Sequence, residues 1–155
     1  MSEILKMYAS ESDASLHTNP YVLPSPAYEG GLNQTHSTLV TSGRNSQGTV
    51  IGQRTMDRDL VKLTLKWSVL LNSDWQGMLS EIASAVGRTD GTGEGFYVWI
   101  RYYDAQANKF LTREFYPSDR TATVFMVDKT TGKPTLWKDC SINFIDTGNS
   151  KEYED

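Results

Sequence analysis

The sequence is poor in the side chains that do chemistry. A single cysteine, Cys140, stands among 155 residues, so no internal disulfide can form and nothing demands an oxidising compartment. Only two histidines are present, His17 and His36, and neither has a cysteine or carboxylate at the spacing of a zinc site. Both fall in a segment with weak folding signals, which makes them exposed and idle instead of scaffold-held bases. Positive charge is also short. Fifteen Lys and Arg against nineteen Asp and Glu leave a net charge of -4, a balance unsuited to gripping phosphates. No apolar run approaches the length that spans a bilayer. The opening "MSEILKMYASESDASLHTNP" has no basic segment followed by an apolar core, so no signal peptide is expected.

Fragments of familiar motifs fail on spacing. "TGKP" (131–134) holds the Gly-Lys pair of a phosphate loop but lacks the upstream glycine and the following helix, and reads as a hairpin turn. "DGTGEG" (90–95) alternates Asp90, Thr92 and Glu94 like a calcium loop, with too few ligands and no distal glutamate to close it. Asp57, Arg58 and Asp59, and Asp119 with Arg120, read as solvated turn charges. Cys140 shares a strand face with Ile142 and Phe144, the placing of a small buried hydrophobe. No catalytic, metal-binding or cofactor-binding residue emerges, so neither an enzymatic activity nor a cofactor is expected.

Folding signals are plentiful by comparison. Residues 1–48 are rich in Ser, Thr, Asn, Gly and Pro and show no sustained period; they read as an extended, largely irregular arm. Its one apolar knot is Tyr21, Val22 and Leu23, set among prolines that favour an extended path. It reads either as a disordered or surface-hugging tail or as an arm that orders on a neighbouring subunit, and the remaining domain, 49–148, would fold without it. "TVIGQRTM" (49–56) is a short strand. Over 61–71, Val61, Leu63, Leu65, Trp67, Val69 and Leu71 alternate with polar residues, which predicts a strand with one dry face. A helix over 73–86 follows, capped by Ser73 with Gln76 in the reciprocal position. Trp75, Met78, Leu79, Ile82 and Val86 form its stripe, and Gly87 ends it. "FYVWIRYYD" and "FLTREFYPSD" make one hairpin, and "RTATVFMVD" and "TLWKDCSINFID" a second. The tail, 149–155, is polar and frayed. The fold class is α+β, mainly β: an antiparallel sandwich or barrel flanked by one helix.

One strand face combines Tyr97, Trp99, Arg101 and Tyr103 without an aliphatic. It fits packing under a second layer, a protein contact surface, since these residue types carry interface energy, or a flat platform for sugar rings.

Several stretches together resemble a family of small tail structural proteins of phages and prophages of Gram-positive bacteria, of tail tube-like or minor tail type. They are "LPSP" (23–26), "GRNSQG" (43–48), "KLTLKWSVL" (62–70), "DWQGML", "YYDAQANKFLTREFYPSDR" (102–120) and "INFIDTG" (142–148). The resemblance implies a virion tail component without enzymatic activity, assembled in the host cytoplasm. It would form a homo-oligomeric ring, six-fold by expectation, that stacks with tube, hub, terminator or tape-measure proteins. DNA would pass through it without being bound specifically, and no membrane would be involved. Subunit contacts are expected at Tyr21, Val22, Leu23, Tyr97, Trp99, Arg101 and Tyr103. The alternative is a glycan-binding module built on the aromatic face.

Overall fold

A computed structural model describes residues 5–24, 26, 31–37, 40–44, 50–54, 59–86, 97–148 and 151–154, the backbone alone for 40–44, 50–54 and 85–86. The alternating segment forms a long strand, here numbered β6 in chain order (Leu60–Leu71). Val61, Leu63, Leu65 and Trp67 are buried, while Lys62 and Lys66 face solvent. The dry face ends there: Val69 and Leu71, expected on it, are exposed and Leu70 is buried instead. The chain passes directly into helix α2 (Asn72–Val86), one residue ahead of the Ser73 cap, a boundary difference within normal fraying. Trp75, Met78 and Ile82 are buried on one stripe of α2, with Leu79 beside them. At the helix start the Trp137 indole N–H donates to Asn72 Oδ1 at 2.8 Å. Gly87 and the "DGTGEG" stretch lie outside the described residues.

Two hairpins follow as expected, although one strand is longer. β7 (Val98–Asp104) turns through 105–108 into β8 (Lys109–Val127), which turns again into β9 (Pro134–Asp146). The sequence reading ends one strand at Asp119 and starts the next at Arg120, yet β8 continues through both. The β8–β9 register slips by one residue between Pro117 and Arg120. That bulge is where a strand tolerates a residue without an N–H. The second turn is tied by Asp128, whose Oδ1 accepts from the backbone of Thr130 at 2.7 Å. Gly132 there takes φ of 75°, a left-handed conformation that suits glycine.

Residues 1–48 depart most from expectation. Far from being largely irregular, their described part supplies β1 (Lys6–Tyr8), α1 (Glu11–Leu16), β2 (Tyr21–Val22), β3 (Leu32–Ser37) and β4 (Val40–Arg44). Leu5, Met7 and Leu23 are each no more than 2% exposed within the main core. The core therefore does not stop at residue 49. These elements escape a periodicity search because strands of two or three residues show no period, and their apolar residues stand singly among polar ones. α1 carries a local signal: the Ser10 hydroxyl accepts from the Asp13 N–H at 3.3 Å, and His17 closes the helix in the left-handed region.

One antiparallel sheet in the order β2-β1-β7-β8-β9-β6-β3 gathers most of the strands. β10 (Glu152–Glu154) adds to β8, so part of the polar tail is ordered. β4 pairs separately with β5 (Val50–Arg54). The architecture is thus α+β and mainly β, with α1 as a second helix that the sequence reading missed. α2 packs its stripe into the main core beside Phe115, Phe144 and Tyr102. A small second cluster of Tyr8, Ala14 and Trp99 joins α1 to β1 and β7, with Tyr153 laid against it. On the margin, the Gln34 side chain of β3 donates to the Tyr103 carbonyl and accepts from the Ala105 N–H at 3.2 Å. The sheet therefore curls until β3 meets the β7–β8 turn. No helix among the described residues is long and apolar enough to cross a membrane.

Candidate functional site

The residues expected at a subunit contact are not gathered on one surface. Leu23 is 1% and Trp99 3% exposed, so both are occupied inside the chain and offer nothing to a partner. Tyr21 is half-buried; its hydroxyl comes near Gly77 of α2. Burial, then the nearby Glu81 and Asp74 charges, push its phenol pKa up. Tyr97 and Arg101 are partly buried, and the Arg101 guanidinium lies 4.0 Å over the Phe110 ring. Val22 and Tyr103 are exposed, with the Tyr103 hydroxyl donating to Asn108 at 2.5 Å. Alternation along β7 is broken at Trp99 because its second face is covered by α1 and β10. The three rings therefore do not form an open platform, and the sugar-binding alternative loses its surface.

The histidines also separate. His17 is exposed, and its Nε2 lies 3.1 Å from the Glu154 carbonyl oxygen. His36 sits on β3 and not on an exposed arm; its Nε2 contacts Gln34 Oε1 at 3.3 Å while Nδ1 is buried without a partner. Cys140 is fully buried, and burial followed by the neighbouring Asp139 charge raises its thiol pKa. A thiol so held is a poor nucleophile.

The most polar buried group is an ionic knot around Asp104. The Tyr102 hydroxyl donates to Asp104 Oδ2 at 2.7 Å, the Gln106 and Ala107 N–H groups donate to Oδ1 at 2.9 Å, and Arg113 lies at 3.4 Å. Burial alone would raise the Asp104 carboxyl, but the Ala107 N–H, the Tyr102 hydroxyl and Arg113 together hold it below its ordinary range. Burial and the bond to Asp104 push the Tyr102 phenol strongly upward. Every charge in the knot is paired, which is the arrangement of a structural network and not of a reacting centre. Among the described residues no three His, Cys, Asp or Glu gather as metal ligands would.

The feature that sequence reasoning passed over is the far end of the β8–β9 hairpin. β7 pairs with β8 only over Lys109–Phe115, and β3 with β6 only over Leu60–Leu65. Past those limits β8, β9 and β6 run on as a three-stranded ribbon. Val124, Phe125, Met126 and Val127 are 41–53% exposed there, beside Val69 and Leu71 at 47% and 55%. The β8–β9 register slips within this run, and on the other face Leu70 stays buried at 7% exposure. The wet apolar surface is therefore the Val69 and Leu71 face together with the β8 strand at the ribbon's edge. Leu71 and Met126 both lie opposite Leu136, which makes one apolar row across all three strands. The visible signal was the run "VFMV", where a half-buried strand should alternate.

No family model matches the chain, and no curated protein matches it. Solved structures resemble it over its whole length, two of them as follows. One is an extracellular contractile injection system, the PVC sheath-tube complex in its extended state, with a TM-score of 0.43 and 10% identity, covering 91% of that chain. The other is the anti-feeding prophage cap, the AFP tube terminating cap, with a TM-score of 0.40 and 11% identity, again covering 91% of that chain.

Proposed function

We propose that this chain is a structural component of a phage or phage-derived tail and acts through its surfaces, without catalysis. The observation that carries the reading is the apolar ribbon end. Soluble monomers seldom leave several adjacent large hydrophobics wet at the end of one hairpin. An apolar projection of this kind is used when another subunit covers it. The family resemblance in the sequence supplies the setting, a virion tail assembled in the host cytoplasm.

In this reading copies associate head to tail, each ribbon seating on its neighbour, and a rotation that closes gives a ring, taken here as hexameric. The ring stacks on tube, hub, terminator or tape-measure proteins and leaves a passage for DNA. The overall charge of -4 suits a passage that must not hold phosphates. Val22 and Tyr103, exposed at the sheet's periphery, are available as secondary contacts.

The test is the double substitution F125S/M126S in the full chain. Native mass spectrometry and negative-stain imaging should show oligomers for the unmodified protein and monomers for the variant. The variant's stability should stay within about 0.5 kcal/mol, because the side chains are already exposed. An unmodified protein that remains monomeric alone and with partner tail proteins overturns the reading.

A further inference from the structure

β10 is an unusual strand. It is three residues long and pairs on one side only, with Leu111–Arg113 of β8. So short a strand has little stability of its own, and its side chains must hold it. They do so through a specific pattern. Glu152 lies opposite Arg113 and accepts from its Nε at 2.8 Å; Glu154 pairs with Lys109. Between them Tyr153 points to the other face, its ring 5.5 Å from that of Trp99, and its hydroxyl donates to Glu11 at 2.8 Å.

Seat and occupant differ in how firmly they are built. Arg113 is also bonded to the Tyr102 hydroxyl at 3.2 Å and to Asp104, and its side chain is only 10% exposed. Trp99 is fixed by Tyr8 and Ala14. Arg113 and Trp99 thus each hold partners inside the chain besides β10. The occupant's own ion pairs are peripheral: the side chains of Glu152 and Glu154 are 36% and 58% exposed, a setting where salt screens the attraction.

We propose that the β8 edge at Leu111–Arg113 is a strand-binding groove for an extended acidic–aromatic–acidic segment, and that Glu152–Glu154 is its detachable occupant. The open backbone edge supplies ladder bonds. Arg113 and Lys109 read the two carboxylates, and Trp99 with Glu11 reads the phenol. The inference stands apart from the tail reading, since it concerns one chain and one segment.

Hydrogen exchange on the unmodified full chain is the first test. The β10 amides should exchange about tenfold faster at high than at low ionic strength, with those of β6 and β9 unchanged. Exchange of β10 in step with β6 and β9 at every ionic strength overturns the proposal. The second test adds a labelled peptide of residues 148–155 in trans to the full-length Glu152→Gln protein, its fold checked by circular dichroism. Saturable binding is expected, weaker to the unmodified chain and lost when both peptide glutamates are glutamine. Absence of saturable binding, or binding indifferent to those glutamates, also overturns it. A full-length Tyr153→Ala chain serves as a second acceptor and should bind the peptide in the same way.

Discussion

Asp104 shows how much one carboxylate can organise. It holds the β7–β8 turn through two backbone bonds and anchors both Tyr102 and Arg113. Asp104→Ala leaves Arg113 buried with one partner fewer and should cost about 3–5 kcal/mol, read from urea unfolding. The sign of the pH dependence follows from the depressed folded pKa. Asp104 contributes fully above its ordinary value of 3.8, and that contribution is lost as pH falls through the lower folded value. The gap in thermal midpoint between the unmodified chain and Asp104→Asn should therefore shrink on acidification in that range and stay constant near neutrality. Leu23 gives a second test at this scale. As a core residue its replacement by alanine should cost about 2–5 kcal/mol, whereas a residue on a dispensable arm would cost almost nothing. Sequence pattern placed Cys140, Met78 and Ile82 correctly because each lies in a long periodic element. It could not place Leu23 or Trp99, whose burial depends on segments distant in the chain.

Elements long enough to show a period were the legible ones. β6, α2, and the β7–β8 and β8–β9 hairpins follow from alternation, helical spacing and turn residues. β1, β2 and β10 are two or three residues each and exist because a neighbouring strand offers them an edge. Their stability is tertiary, so no local pattern announces them. The same logic reverses an expectation about truncation. Removing residues 1–48 deletes β1, β2 and β3 together with Leu5, Met7 and Leu23 from the core. The shortened chain should lose its cooperative thermal transition, measured by calorimetry or circular dichroism. α2 is the converse case: Trp75, Met78, Leu79 and Ile82 of its expected stripe do face the core, and Met78→Ala should cost about 2–5 kcal/mol by creating a cavity under the helix.

For the whole molecule, composition excluded more than it specified. Scarcity of cysteine and histidine and the lack of spaced ligands pointed away from a reacting centre, and the buried charges form a closed ionic knot. The candidate contact residues were chosen by type, from aromatics and arginine, and the fold spends Leu23 and Trp99 internally. The ribbon end at Val124–Val127 was overlooked because an apolar run in a strand ordinarily signals burial on both faces. Here the run outlasts the strands that would cover it. The F125S/M126S pair separates these roles, since association should disappear while the unfolding midpoint holds.

The bonds of Gln34 to the Tyr103 carbonyl and the Ala105 N–H have a mechanical meaning. Most neighbouring strands are stitched by a continuous ladder, but among the described residues this margin is fastened by side chains, Gln34 and beside it Gln106, which donates to Asp59. A load pulling β3 away from the β7–β8 turn meets a clasp there and not a weld, and the clasp is where the molecule would part first.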